Sequence, residues 1–308
     1  RDLHSFPTRR SSDLGVPKKL YTSSQTVQLN EMPIPDRSIY YKKKELYNFQ
    51  ADIVQVMRGC KFPCPQCVIP PIFGNEMRLK DFSKIMEDIM SLEFDIFYLA
   101  DDQIFYPMKI SNYADTLFGH IRDLGIKKQI LINTAPSLTR DKKLLELMAD
   151  AGVSTFYSVI GFDPISKNGL LRGRKNLRKQ IIDQVKMVED TGMVFVASFP
   201  LGLEEHDEKI EEILLQFCTE ARIKLAEFFM FTPLPGTPVW KQMEKENRIL
   251  HHNWEQFNGG NVVFQPKNMS PERLTEIYQN LWKEFRRLSG SLSYSYWINT
   301  SNPSNVTQ

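Results

Sequence analysis

Cysteine is scarce in this 308-residue chain: there are four, and three of them fall within the eight positions from Cys60 to Cys67. That distribution excludes a secreted disulfide framework, which spreads its cysteines along the chain, and favours a metal site. An excess of charge of either sign is also missing, since 39 Lys and Arg stand against 37 Asp and Glu, a formal net charge of +2. Such a balance gives no electrostatic case for a nucleic-acid partner. Long apolar runs are absent too. None approaches the roughly 20 residues of a spanning helix and no signal-peptide pattern occurs, so a cytoplasmic protein without a transmembrane segment is expected.

The two ends carry little fold information. Residues 1–14, RDLHSFPTRRSSDL, have no periodicity and look like translated adapter sequence, so they are expected to be non-native. Residues 15–49 mix Pro, Ser and Lys around Asn30-Glu-Met-Pro-Ile-Pro-Asp-Arg37, too punctuated for a helix and without an alternating apolar face, and read as a linker. Residues 291–308 are rich in Ser and Asn and are expected to be a disordered tail.

Between these ends a unit repeats: a short apolar run, a loop, an amphipathic helix, and a turn with glycine before the next run. Strands are expected at Ile53 to Met57, Asp95 to Ala100, Gln129 to Asn133, Thr155 to Ile160, Val194 to Phe199 and Ala226 to Phe231. Helical stripes fall on Leu79, Phe82, Ile85, Met86, Ile89 and Leu92, and again on Leu117, Phe118, Ile121 and Leu124. Helix ends are marked by Gly125, Gly152 and Gly192. The fold class is therefore α/β: a partial (β/α)6 TIM-like barrel over residues 50–236, with ligands gathering at the C-terminal ends of the strands. A mainly helical C-terminal extension over 237–290 follows, with a helix starting at Ser270-Pro271 and running to about Leu288. Trp240, Trp254 and Phe257 in that extension are candidates for core packing or for a wall of the pocket, and Cys218 reads as a buried small apolar residue.

The chemistry concentrates on Cys60-Lys-Phe-Pro-Cys64-Pro-Gln-Cys67, directly after the first strand. Three neighbouring thiolates can bind three irons of a cubane cluster and leave the fourth iron open to an external ligand, whereas an electron-transfer cluster takes four protein ligands. The alternatives are unligated thiols or a zinc site, which needs a fourth ligand, and no histidine lies close in sequence.

This C-x3-C-x2-C loop, entered through Arg58-Gly59, resembles that of the radical S-adenosylmethionine (SAM) superfamily. The resemblance implies a [4Fe-4S] cluster on Cys60, Cys64 and Cys67, with SAM chelating the open iron and being cleaved reductively to methionine and a 5′-deoxyadenosyl radical. It also assigns cofactor contacts position by position. Gln66 occupies the adenine-contacting place, where the family usually has an aromatic residue. Asp101 and Asp102, at the end of the second strand, stand where the SAM ammonium is held, or else simply open the following loop. Asp163, in Gly161-Phe-Asp163, stands at the ribose position with a side chain one methylene shorter than the usual Glu. Arg174 matches a basic residue near the SAM carboxylate, with a solvated basic face as the alternative, and Ser198 opens the small-residue stretch to Gly202 that lies against adenosine. No catalytic side chain is assigned.

Phe231-Thr-Pro-Leu-Pro-Gly-Thr-Pro238 and the linker segment Leu29 to Arg37 resemble the cobalamin-binding subgroup of that superfamily, which includes methyltransferases acting on unactivated carbons and an anaerobic porphyrin-ring cyclase. The resemblance implies a cobalamin domain ahead of the linker, so the chain is expected to be the C-terminal part of a larger enzyme. It further implies a small-molecule, lipid-like or tetrapyrrole substrate, and an electron donor such as flavodoxin or ferredoxin. Methyl transfer to carbon is the leading expectation. Radical cyclisation or rearrangement, and a noncatalytic iron-sulfur module, are the alternatives.

Overall fold

The computed structural model describes residues 27–60, 62, 64–101, 111–134, 141–162 and 175–289. Residues 1–26 and the tail from 290 lie outside the described residues, and with them the expectations for 1–14 and 291–308.

Eight strands are formed: β1 Asp52–Val54, β2 Met57–Arg58, β3 Arg78–Leu79, β4 Ile96–Leu99, β5 Gln129–Asn133, β6 Val153–Val159, β7 Val194–Leu201 and β8 Leu225–Met230. Six of them make one parallel sheet in the order β1-β4-β5-β6-β7-β8, and β2 pairs antiparallel with β3 in a separate ribbon. The helices are α1 Ser38–Tyr41, α2 Ile69–Phe73, α3 Phe82–Met90, α4 Ser111–Asp123, α5 Lys142–Asp150, α6 Lys175–Asp190, α7 Ile210–Glu220, α8 Pro238–Lys245 and α9 Pro271–Ser289. The sheet is thus a run of βα units whose edge strands are β1 and β8, the open (β/α)6 form expected from the strand count. Among the described residues no helix is long and apolar enough to cross a membrane.

One face of the sheet is covered by the helices and closely filled. Phe97, Phe156, Phe195, Phe199 and Phe228 are buried, with Phe199 edge-on to Phe217 of α7 and Phe228 edge-on to Trp282 and Phe285 of α9. The opposite side-chain set includes Tyr98, Leu131, Asn133, Tyr157, Glu227 and Phe229, all only partly buried. Strands alternate their faces residue by residue, so this second set lines the inner side of the open barrel.

Three sequence expectations need correction, and the first two concern the same turn. The first strand ends at Val54 rather than Met57, because the backbone N–H groups of Val56 and Met57 are taken by the buried Asp101 carboxylate and not by a neighbouring strand. Leu79 belongs to β3, opposite Met57, and is 39% exposed instead of continuing the helical stripe. The rest of that stripe packs as expected, with Ile85, Ile89 and Leu92 buried and Phe82 and Met86 against the core. In the next helix Leu117, Phe118 and Ile121 are fully buried, whereas Leu124 is exposed.

The segment 27–50 runs along α3 to the N-terminal end of the sheet. Arg37 pairs with Asp88 at 2.9 Å and donates to the Ile53 carbonyl at 2.7 Å, while Tyr41 donates to Asp52 at 2.8 Å. Tyr40 and Tyr41 both meet Phe94 edge-on. At the other end α9 starts where Ser270 accepts the Arg273 N–H at 3.1 Å, as its Ser-Pro signal indicates, and it completes the helix layer over β8. Gly202 explains how the extension comes so near: a Cβ there would stand 2.7 Å from Leu274 and 2.9 Å from Phe264. Trp240 is buried and packs with Trp254 and Phe257 at 5.8 and 5.9 Å between ring centroids.

Replacing Phe228 by Ala removes a ring held between Phe199 of β7 and the Trp282 and Phe285 rings of α9. The expected cost is about 3–5 kcal/mol, read as a lower urea midpoint with an unchanged slope.

Candidate functional site: the cysteine loop and the inner face

The loop bearing the three cysteines leaves the sheet at the C-terminal end of β1 and is fastened at its base. Met57 and Arg58 pair with Leu79 and Arg78, and the Lys80 N–H donates to the Val56 carbonyl at 2.8 Å. Tyr113 of α4 donates to the Lys80 carbonyl at 2.9 Å and to the Val56 carbonyl at 3.3 Å. Burial, together with the charges of Asp101 and Asp81, pushes the Tyr113 phenol far up, so it remains a donor at any physiological pH. Gly59, with φ at +95°, follows this ribbon, and a Cβ there would stand 2.1 Å from the Glu76 carbonyl oxygen. Only glycine fits there, which is the structural reason for the Arg-Gly-Cys order.

Beyond Gly59 the loop is held by backbone and arginine contacts. Arg58 lies over the Phe73 ring at 5.1 Å and donates to Gln55 at 2.7 Å. Arg78 donates to the carbonyls of Phe73 at 2.9 Å and Val27 at 2.7 Å, tying α2 to the start of the described chain. The far side of the loop is reached by the extension, where the Val239 N–H in the first turn of α8 donates to the Pro65 carbonyl at 3.1 Å. Thr237 caps that turn by accepting the Trp240 N–H at 3.1 Å. The loop from one edge strand, β1, is therefore bonded to the segment that follows the other, β8, and bridges the opening between them.

Of the three cysteines, Cys60 is buried and Cys64 and Cys67 are half-buried. The Cys67 N–H donates to the Cys64 carbonyl at 3.1 Å, making the turn that contains Gln66, and the Ile69 N–H donates to the Cys67 sulfur at 3.4 Å. Among the described residues no group of three or more His, Cys, Asp or Glu side chains is gathered closely enough to hold a metal ion. The three thiols nonetheless share one loop. Their number and softness still fit an iron-sulfur cluster with one open iron, and a backbone N–H aimed at a ligating sulfur is the kind of contact that tunes such a cluster. Cys218 has the opposite character: burial pushes its thiol up to about 12, as befits a core residue.

The remaining candidate positions divide. Asp101 is buried and its carboxylate accepts the Val56 N–H at 3.1 and 3.2 Å and the Met57 N–H at 2.7 Å, which brings it to the base of the cysteine loop. Ser198 is fully buried on β7 and donates to Glu227 at 2.7 Å, away from the loop base. Asp102, Asp163 and Arg174 lie outside the described residues. Sequence reasoning missed Glu227 and Tyr157, which also hydrogen-bond each other. A signal was available, since Glu227 interrupts the apolar run Leu225-Ala-Glu-Phe-Phe-Met230.

A fold similar to this one appears in known enzymes. The chain aligns over 66% of its length with TsrM of Kitasatospora setae, a radical SAM methyltransferase solved with cobalamin and a [4Fe-4S] cluster bound, at a TM-score of 0.56 and 15% identity over 41% of that chain. The fold is similar to that of this radical SAM enzyme. Relatives in sequence extend the likeness. Hopanoid C-2 methylase of Rhodopseudomonas palustris is 25% identical over 80% of this chain, and bacteriochlorophyllide d C-12(1)-methyltransferase of Chlorobaculum tepidum is 22% identical over 92% of it. The chain spans 47% and 64% of the length of these two relatives. No family model matches it. The parallel βα order puts the loop at the C-terminal mouth of the barrel, where ligands of such sheets bind.

Two outcomes follow from the loop geometry. Gly59→Ala forces the ribbon apart and should cost at least about 1–2 kcal/mol, together with a clear loss of iron retained per chain after reconstitution. In cluster-free protein at pH 8, iodoacetamide should modify Cys64 and Cys67 first and leave Cys218 intact until the chain is unfolded, as peptide mass mapping would show.

Proposed function

We propose that this chain is the radical SAM portion of a cobalamin-dependent enzyme that transfers a methyl group to carbon, with Cys60, Cys64 and Cys67 holding a [4Fe-4S] cluster. The observation that carries the reading is the set of three cysteines on one glycine-dependent loop, fastened at both sides to the mouth of a parallel barrel. Support comes from relatives named as methyltransferases and from a similar solved chain that holds both cobalamin and a four-iron cluster. When bound, such a cluster supplies an open iron for SAM and the electron that cleaves it.

The chain's own residues then have distinct tasks. The β2–β3 ribbon and Asp101 set the height of the cysteine loop, and Arg58 and Arg78 restrain its outer arm. By resemblance, Gln66 lies against the adenine, Asp101 and Asp102 serve the SAM ammonium, Asp163 the ribose, Arg174 the SAM carboxylate, and Ser198 the adenosine wall. The substrate is a small organic molecule of lipid-like or tetrapyrrole type, in keeping with the hopanoid and bacteriochlorophyllide named for the relatives. A cytoplasmic setting and a reductant such as flavodoxin or ferredoxin belong to the same reading.

The test is SAM cleavage by anaerobically reconstituted, reduced protein. Wild type is expected to release 5′-deoxyadenosine in proportion to its cluster content, and Cys64→Ala to fall below about one hundredth of that rate. A proven four-iron cluster that binds SAM without cleaving it would overturn the enzymatic reading. With the intact enzyme and methyl-labelled SAM, label in the product supports methyl transfer, and SAM consumption without label transfer refutes it.

A further inference from the structure

Glu227 is a carboxylate on the inner face of the barrel for which the cysteine-loop chemistry has no use. It stands on the edge strand β8, on the face opposite to that of Phe228, and is paired with Ser198 of β7, which is in turn opposite Val159 of β6. Its Oε2 accepts two hydroxyl hydrogen bonds, from Ser198 at 2.7 Å and from Tyr157. Ser198 is fully buried, and burial together with the Glu227 bond pushes the Tyr157 phenol far up, so the Tyr157 hydroxyl stays a donor. Among the described residues, the other oxygen, Oε1, has no hydrogen-bond partner and no Lys, Arg or His pairs with Glu227.

The surroundings are aromatic. Phe229, two residues along the same face, meets Phe162 edge-on at 6.1 Å, and Phe162 meets Phe231 at 6.3 Å. A carboxylate oriented by two hydroxyls, with one oxygen left over and aromatic rings beside it, recognises an organic cation: the oxygen takes a charge-assisted hydrogen bond and the ring faces attract the positive charge. A half-buried carboxylate without a cationic partner is costly in the free protein, and a cationic ligand relieves that cost.

We propose that Glu227, held by Tyr157 and Ser198, is the cation-binding wall of the barrel and receives the positively charged group of an organic ligand with an apolar body. That cation is supplied either by an amine-bearing substrate or by SAM itself. The assignment rests on the proposed function only in naming SAM as one of these sources.

The experiment uses the reconstituted full chain near pH 7. Binding of 2-phenylethylammonium and of its neutral counterpart 3-phenylpropanol is compared by ligand-observed NMR, and SAM affinity is measured by calorimetry, for wild type, Glu227→Gln and Tyr157→Phe. Wild type is expected to favour the ammonium by about tenfold or more, with the preference abolished in Glu227→Gln and reduced in Tyr157→Phe. Unchanged SAM affinity in Glu227→Gln then assigns the cation to a second substrate, and a loss of about tenfold assigns it to SAM. Equal binding of ammonium and alcohol by wild type, with SAM affinity the same in wild type and Glu227→Gln, overturns the proposal. Tyr157→Phe retains the carboxylate and guards against an effect of misfolding, with circular dichroism as the check. Cleavage of SAM is assayed on the same preparations, so a failure of the radical SAM reading is seen separately from a failure at Glu227.

Discussion

The geometry of the site depends on one buried carboxylate. Asp101 stands at the end of β4 with almost no exposure, and its oxygens take the N–H groups of Val56 and Met57. Donors of this kind are what makes burial of a charge tolerable. The same contact decides where the first strand stops. Because Val56 and Met57 bond to a side chain instead of a strand, the chain leaves the sheet there, reverses at the ribbon with Arg78 and Leu79, and presents the cysteines above the strand ends. Tyr113 closes the arrangement by bonding the carbonyls of Val56 and Lys80.

The opening of the barrel is used rather than merely left. A six-stranded sheet that does not close has two edges, and here the loop leaving the β1 edge is bonded through the Pro65 carbonyl to the first turn of α8, which follows the β8 edge. The prolines and the Thr237 cap between β8 and α8 fix the direction in which that turn begins. One hydrogen bond is worth only about 0.5–1.5 kcal/mol, so its importance is positional: it joins the two ends of the sheet through the segment that carries the thiols. Packing of α9 on β8, made possible by the absence of a side chain at Gly202, holds the extension in the place this contact requires.

Periodicity revealed the repeating units, because each strand and helix buries its own face and writes that face into the local sequence. Val194 to Phe199 and Leu117 to Ile121 are of this kind. The end of β1 was not legible, since it is set by Asp101, 44 and 45 positions downstream of the groups it binds. Leu79 misled for a related reason: it sits at helical spacing from Phe82, but the partner that decides its conformation is Met57. The cysteines were legible from spacing alone, whereas the Glu227, Tyr157 and Ser198 cluster was only hinted at by a charge inside an apolar run. Its members come from three strands and meet through sheet register, which no local window contains.

The four cysteines show how one residue type is given two chemistries by its surroundings. Cys218 is enclosed by α7 and the sheet, and desolvation disfavours its thiolate so strongly that the Arg178 charge does not compensate. Cys64 and Cys67 are half-exposed on a loop held at its base and flank. Restraint comes from the loop's ends, where Gly59, Asp101 and the Pro65 carbonyl provide it, and the thiols that solvent reaches keep the reactivity that burial takes from Cys218.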